Sequence, residues 1–138
     1  MKMPRTVVFV CLHGSAKSLI AAEYFRRLTA ERGLNVHATS AGTEPDLDIP
    51  PHVIEGLLRD GIDVRGRRPR LVTREDLANA SHVVSFGCDL SRMTPPAAAV
   101  ERWDDVPAVS ADFAAARDAI VARLRRLLVA WESPKRAG

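Results

Sequence analysis

A chain of 138 residues, 46% apolar and 27% charged, has the length of one domain and the balance of a folded globular protein. Its net charge of +3 is mild, and the basic run Arg65-Gly66-Arg67-Arg68-Pro69-Arg70 carries no interleaved aromatic residue, so neither nucleic acid nor membrane is expected as a partner. No apolar run approaches the ~20 residues of a membrane span. The stretch Thr6 to Leu12 is short for a signal peptide, and two distant cysteines make no secreted disulfide framework, so the expected compartment is the cytoplasm.

Thr6 to Leu12 is a near-continuous apolar run, the signature of a strand buried on both faces. Ser18 to Arg32 is helical: Ile20, Ala21, Tyr24, Phe25 and Leu28 share a face, and Gly33 supplies the stop. Leu34 to Ser40 alternates as a second strand, and Ala41-Gly42-Thr43-Glu44-Pro45 reads as a loop. Pro50 and Pro51 open a short helix that ends before Gly61. Gly61 to Arg70 is irregular and basic. Thr73-Arg74-Glu75-Asp76 resembles a capping box, with a short helix running to about Asn79. His82 to Phe86 is a third strand, and Val100 to Trp103 a short fourth. Ser110 can cap a final helix whose stripe is Ile120, Val121, Leu124, Leu127, Leu128 and Trp131; the polar tail 132–138 is expected to fray. Strands alternating with helices imply one α/β domain over 1–138, a parallel sheet with helices on both faces. Ligands bind such sheets at the carboxyl ends of the strands.

The chemistry concentrates at the end of the first strand. Cys11 leaves the apolar run, and Leu12, His13, Gly14, Ser15 and Ala16 form a turn before Lys17 and Ser18 open the helix. A loop of small residues feeding a helix N-terminus points backbone N–H groups at an anion. Lys17 adds fixed charge, Ser18 can donate a hydroxyl hydrogen bond to the sulfur, and a cysteine so placed is expected to be a thiolate near neutral pH. Residues 12–17 are thus the expected oxyanion cradle. The spacing is not that of a Walker A loop, and His13, His37, His52 and His82 show no metal-ligand spacing, so no metal is expected.

These residues resemble the low-molecular-weight protein tyrosine phosphatase superfamily, and more closely its thiol-dependent arsenate reductase branch. The resemblance includes Val8-Phe9-Val10-Cys11 with the loop and Ser18, and Ser40-Ala41-Gly42-Thr43. It continues through Gly61-Ile62-Asp63-Val64 with Arg68-Pro69, then Val83-Val84-Ser85-Phe86-Gly87-Cys88, and Trp103-Asp104-Asp105 leading to Arg117-Asp118. It implies a flavodoxin-like four-stranded sheet and a Cys11 nucleophile that forms a thiophosphate or thioarsenate intermediate. It also implies an arsenate, phosphate or sulfate-like oxyanion as ligand, and an external thiol or redoxin as reductant rather than a bound cofactor.

The chain departs from that family at three places. Lys17 stands where the family signature has Arg, which keeps the charge and loses the two-pronged grip on oxygen. The family's late acid loop reads Trp103-Asp104-Asp105-Val106-Pro107-Ala108 here; Asp105 is the candidate general acid, while an alternative alignment puts Ala108 at that place. Cys88 follows the third strand without the further thiol of the three-cysteine reductases, and reads either as a buried structural cysteine or as the thiol that resolves Cys11. Arsenate reduction is the leading reading. A phosphomonoesterase and a non-catalytic phosphate-binding protein are the alternatives. The lone tyrosine, Tyr24, lies on the first helix, away from where the family's phosphatases pack an aromatic substrate.

Overall fold

The computed structural model describes residues 5–93 and 100–132. In chain order the elements are β1 (Arg5–Cys11), α1 (Lys17–Glu31), β2 (Val36–Gly42), α2 (Pro51–Arg59), α3 (Arg74–Asn79), β3 (His82–Ser85), β4 (Val100–Arg102) and α4 (Phe113–Glu132). All pairings in the sheet are parallel, and the order is β2-β1-β3-β4. β1 therefore has neighbours on both sides, which is why its Val7 to Val10 are fully apolar and fully buried.

The side chains of β1 alternate between two cores. Val7, Phe9 and Cys11 join the helices α1, α2 and α4 on one face; Val8 and Val10 meet Val72, Leu77 of α3, Cys88 and Leu90 on the other. The larger core is aromatic at its centre. Phe9 packs edge-on against Phe25 at 5.7 Å between ring centroids, and Trp103 meets both Phe9 and Phe86. Aromatic pairs of this kind add about 0.5–1.5 kcal/mol beyond their buried area.

The predicted elements are all present, with shifted ends. β2 extends through Ala41 and Gly42, which the sequence assigns to a loop, because β1 continues to Cys11 and the pair Cys11↔Gly42 closes the ladder. α4 is capped by Asp112 rather than Ser110: its carboxylate accepts the Ala115 N–H at 3.0 Å. The capping box at Thr73 is present in both directions, at 3.0 and 2.8 Å. Past Glu132 the expected tail lies outside the described residues. The basic run 65–70 is largely neutralised: Arg65 pairs with Asp63, Arg67 with Glu23 and Arg70 with Asp76. No helix among the described residues is long and apolar enough to cross a membrane.

The topology fixes where a ligand can sit. The chain leaves β1 for β2 on one side, and β3 lies on the other, so the connections diverge at the carboxyl end of β1. In open parallel sheets that divergence opens a crevice. Cys11 is the residue at its base.

Candidate active site

Cys11 ends β1 with its side chain on the α1 face and is 7% exposed. Two donors reach its sulfur. The Gly14 N–H lies 3.2 Å from Sγ, and Oγ of the buried Ser18 lies 3.0 Å away. A thiolate accepts from both at once. α1 begins immediately beyond. Its N-cap, Ala16, has no side-chain oxygen to satisfy the first N–H groups, and no acidic residue stands in the first turn. The positive end of the α1 macrodipole is thus not offset by a side chain.

Gly14 makes the turn feasible. Its φ is +63°, and a Cβ there would fall 2.6 Å from the Gly42 nitrogen. A Cβ on Gly42 would in turn fall 2.6 Å from the Gly14 nitrogen. The two glycines pack backbone on backbone, so the loop is seated on the end of β2. The following segment continues that contact. The N–H groups of Thr43, Glu44 and Asp46 donate to the carbonyls of Cys11, Leu12 and His13 at 3.2, 2.7 and 3.1 Å.

Asp46 closes the arrangement, and the sequence reading assigns it nothing. Its Oδ2 accepts the Ser15 hydroxyl at 2.8 Å, and its Oδ1 lies 3.3 Å from Nδ1 of His13. That ring nitrogen is also 3.2 Å from the Glu44 carbonyl. A polar residue just past the predicted loop was the only signal in the sequence. What brings it to the site is pairing of residues 43–46 with 11–13, which is not local information.

Above the sulfur lies a pocket of about 300 Å³. The loop lines it with Cys11, Leu12, His13, Ser15, Ala16 and Lys17; Gly14 sits beneath, against Gly42. Asp46, Pro50, His52 and Phe86 form further walls, and the loop before α4 contributes Ala108, Val109 and Ser110. Of the residues expected in an oxyanion site, Cys11 to Ser18 are therefore brought together.

Asp105 is not brought there. Its side chain is 76% exposed and bonds Nη2 of Arg123 on α4 at 2.5 Å, which holds its carboxyl below the ordinary carboxylate range. It does not line the pocket over Cys11. Asp104 is occupied as well, accepting the Gly87 N–H at 3.0 Å and the Arg102 guanidinium at 2.9 Å. The cause is packing. Trp103, Val106 and Val109, three residues apart, all turn into the core, and the residues between them turn out. Ala108 then faces the pocket, as in the second of the two alignments.

Cys88 lies past the end of β3, 8% exposed, in the core on the opposite face of the sheet from Cys11. The two cysteines are not joined in a disulfide. Burial pushes the Cys88 thiol up, a bond with Thr43 works against this, and the Cys11 sulfur is near enough to add to the rise. The two thiols thus share the carboxyl edge of the sheet without sharing a face. Tyr24 is likewise away from the pocket: its hydroxyl donates to Asp60, which also binds Arg117 at 3.0 Å and ties α1 to α4.

Residues 6–107 match a family model described as low molecular weight phosphotyrosine protein phosphatase. The chain is similar to a putative arsenate reductase of Halobacterium salinarum, with 26% identity over 97 residues that cover 69% of this chain and 68% of that one. It is also similar to the low molecular weight protein-tyrosine-phosphatase YfkJ of Bacillus subtilis, 34% identical over 89 residues, 61% of this chain and 57% of the relative. The crystal structure of YfkJ superposes with a TM-score of 0.77 at 23% identity, covering 94% of this chain and 95% of the other. The thioredoxin-dependent arsenate reductase of Corynebacterium glutamicum superposes with a TM-score of 0.74 at 24% identity, over 94% of this chain and 63% of that one.

Proposed function

Because the chain belongs to the low molecular weight phosphotyrosine protein phosphatase family, we propose that it is a cysteine-thiolate enzyme acting on a tetrahedral oxyanion, in the manner of an arsenate reductase. The observation that carries this reading is the sulfur of Cys11, with the Gly14 N–H and the Ser18 hydroxyl both within 3.2 Å, at the base of a pocket that Lys17 lines. A thiolate, the nucleophilic form, would accept from both donors and face the positive end of α1. The loop N–H groups and Lys17 then hold the oxygens of the anion.

In the reductase reaction Sγ attacks arsenic. The S–As bond forms, one As–O bond breaks, and that oxygen leaves as water. A second thiol then attacks Sγ; an S–S bond forms, the S–As electron pair stays on arsenic, and arsenite departs. A low-molecular-weight thiol or a redoxin supplies that second sulfur. Cys88 is the other candidate: it lies at the same carboxyl edge of the sheet but packs on the opposite face from Cys11, and a disulfide needs Cα atoms within about 7 Å. A pocket with no tyrosine in its lining favours an inorganic oxyanion over an aromatic ester.

The second reading, a phosphomonoesterase, is favoured by the 34% identity to YfkJ. Parallel turnover assays separate the two. The reductase reading expects arsenite from arsenate plus thiol, abolished by Cys11→Ser, with slow release of phenol from an aryl phosphate. Fast aryl-phosphate hydrolysis with no arsenite selects the second reading. Phosphate binding without either activity selects a non-catalytic protein.

A further inference from the structure

The pocket over Cys11 has one carboxylate among its described lining residues, Asp46. Both of its oxygens are engaged, one by the Ser15 hydroxyl at 2.8 Å and the other by Nδ1 of His13 at 3.3 Å. Nδ1 also faces the Glu44 carbonyl at 3.2 Å. Two acceptors on one ring nitrogen keep a proton there whether the ring is neutral or charged. Nε2 is then the nitrogen that gains and loses a proton. His13 lines the pocket, and its side chain is half exposed.

We propose that His13 delivers a proton to the oxyanion bound over Cys11, with Asp46 as its positioning residue. This rests on reading the pocket as an oxyanion site. It answers a vacancy in the chemistry: the late loop presents Ala108 there, and Asp105 is bonded to Arg123 on the surface. As Sγ attacks, the bond from sulfur to phosphorus or arsenic forms and the bond to the leaving oxygen breaks. The Nε2 proton passes to that oxygen, which departs as an alcohol from an ester or as water from arsenate. The ring is left neutral, its Nδ1–H still on the Glu44 carbonyl with Asp46 beside it. With an ester, Nε2 then takes a proton from the attacking water, and the S–P electron pair returns to Cys11. The titratable and charged groups around His13 are Cys11 and Lys17 from its own loop, Glu44 and Asp46 from the segment after β2, and His52 from α2.

Two measurements test this, and they fail separately from the enzymatic reading. The first is calorimetric titration with inorganic phosphate near pH 7 in buffers of different ionisation enthalpy, which counts protons taken up. His13→Asn is expected to lose part of that uptake, and His52→Asn to keep it. The second compares two esters. His13→Asn is expected to lower kcat/KM, which reports the step in which the phenolate leaves and not the hydrolysis common to both esters, by ~100-fold on phenyl phosphate but by less than ~10-fold on p-nitrophenyl phosphate, because the second phenolate leaves without a proton. Asp46→Asn is expected to show a smaller loss with the same ester dependence, and nitrogen NMR of the His13 ring to lose its single Nδ1–H form. Equal losses on both esters make the ring structural and overturn the proposal. So does proton uptake that disappears with His52 instead. If the parent turns over neither ester nor arsenate, yet its phosphate-linked proton uptake depends on His13, the enzymatic reading fails, the delivery step falls with it, and only a protonated His13 beside the bound anion stands. If the parent binds no phosphate, both fall.

Discussion

The two rims of the pocket are built differently. The loop 11–18 carries its chemistry on its backbone and on residues one turn apart: Gly14 and Ser18 both reach Sγ, and Lys17 follows from the same turn. The loop 103–110 is shaped by its apolar residues. Trp103, Val106 and Val109 sink into the core, and its two aspartates end on Gly87, Arg102 and Arg123 rather than over the sulfur. One rim is a site in which structure and chemistry use the same atoms. On the other, packing decides which residue faces the ligand, and it delivers Ala108. The lesson is that an acid near the right place in a sequence is not an acid in the pocket unless the core spacing around it agrees.

The contrast can be broken at its strongest point first. Cys11→Ser is expected to lower oxyanion turnover by at least about 10⁴-fold, the scale on which losing a nucleophile acts. Arsenite or phenol release measured on the purified variant checks it. Gly14→Ala comes next. A side chain at φ +63° costs about 1–3 kcal/mol, and its Cβ would meet the Gly42 nitrogen at 2.6 Å, so thermal unfolding is expected to fall and phosphate binding to be lost together. Third is Lys17. Lys17→Ala is expected to weaken phosphate binding by about 10–100-fold, the value of a charge-assisted hydrogen bond of ~1.5–3 kcal/mol. Lys17→Arg is expected to tighten it by roughly tenfold through a second parallel bond. Titration calorimetry of the three proteins ranks them; an arginine variant that binds no better would mean the loop is shaped for lysine. The smallest effect is on the other rim. Asp105→Asn is expected to leave kcat within about twofold, since it breaks only an exposed ion pair with Arg123. A large fall in kcat and the loss of its decline toward alkaline pH would restore Asp105 as the proton donor.

The same contrast explains what the sequence made legible. β1, the Cys11 loop and the start of α1 were readable because each is specified locally, by an apolar run, a glycine at a positive φ and the period of a helix. The Thr73 capping box was readable for the same reason. The end of β2 was not, because Ala41 and Gly42 are strand residues only through their pairing with Val10 and Cys11. Asp46 was not, since its partners Ser15 and His13 are about thirty residues away in the chain and meet it only through the loop pairing. Ser110 looked like a helix cap, yet Asp112 holds the helix end because its carboxylate reaches Ala115. The sequence shows that Cys88 follows the third strand, but the face it occupies depends on which core residues 88–90 enter.

The central claim is that Cys11, held by Gly14 and Ser18, is the reactive sulfur of an oxyanion site. The most direct measurement is the rate of iodoacetamide alkylation of each cysteine against pH, with and without phosphate or arsenate, read by peptide mass. Cys11 is expected to react first, near neutral pH, and to be protected by either anion. Cys88 is expected to react slowly and only at higher pH, because burial holds its thiol above the ordinary cysteine range and delays the reactive anion. Faster labelling of Cys88, or alkylation of Cys11 that neither anion slows, would contradict the account.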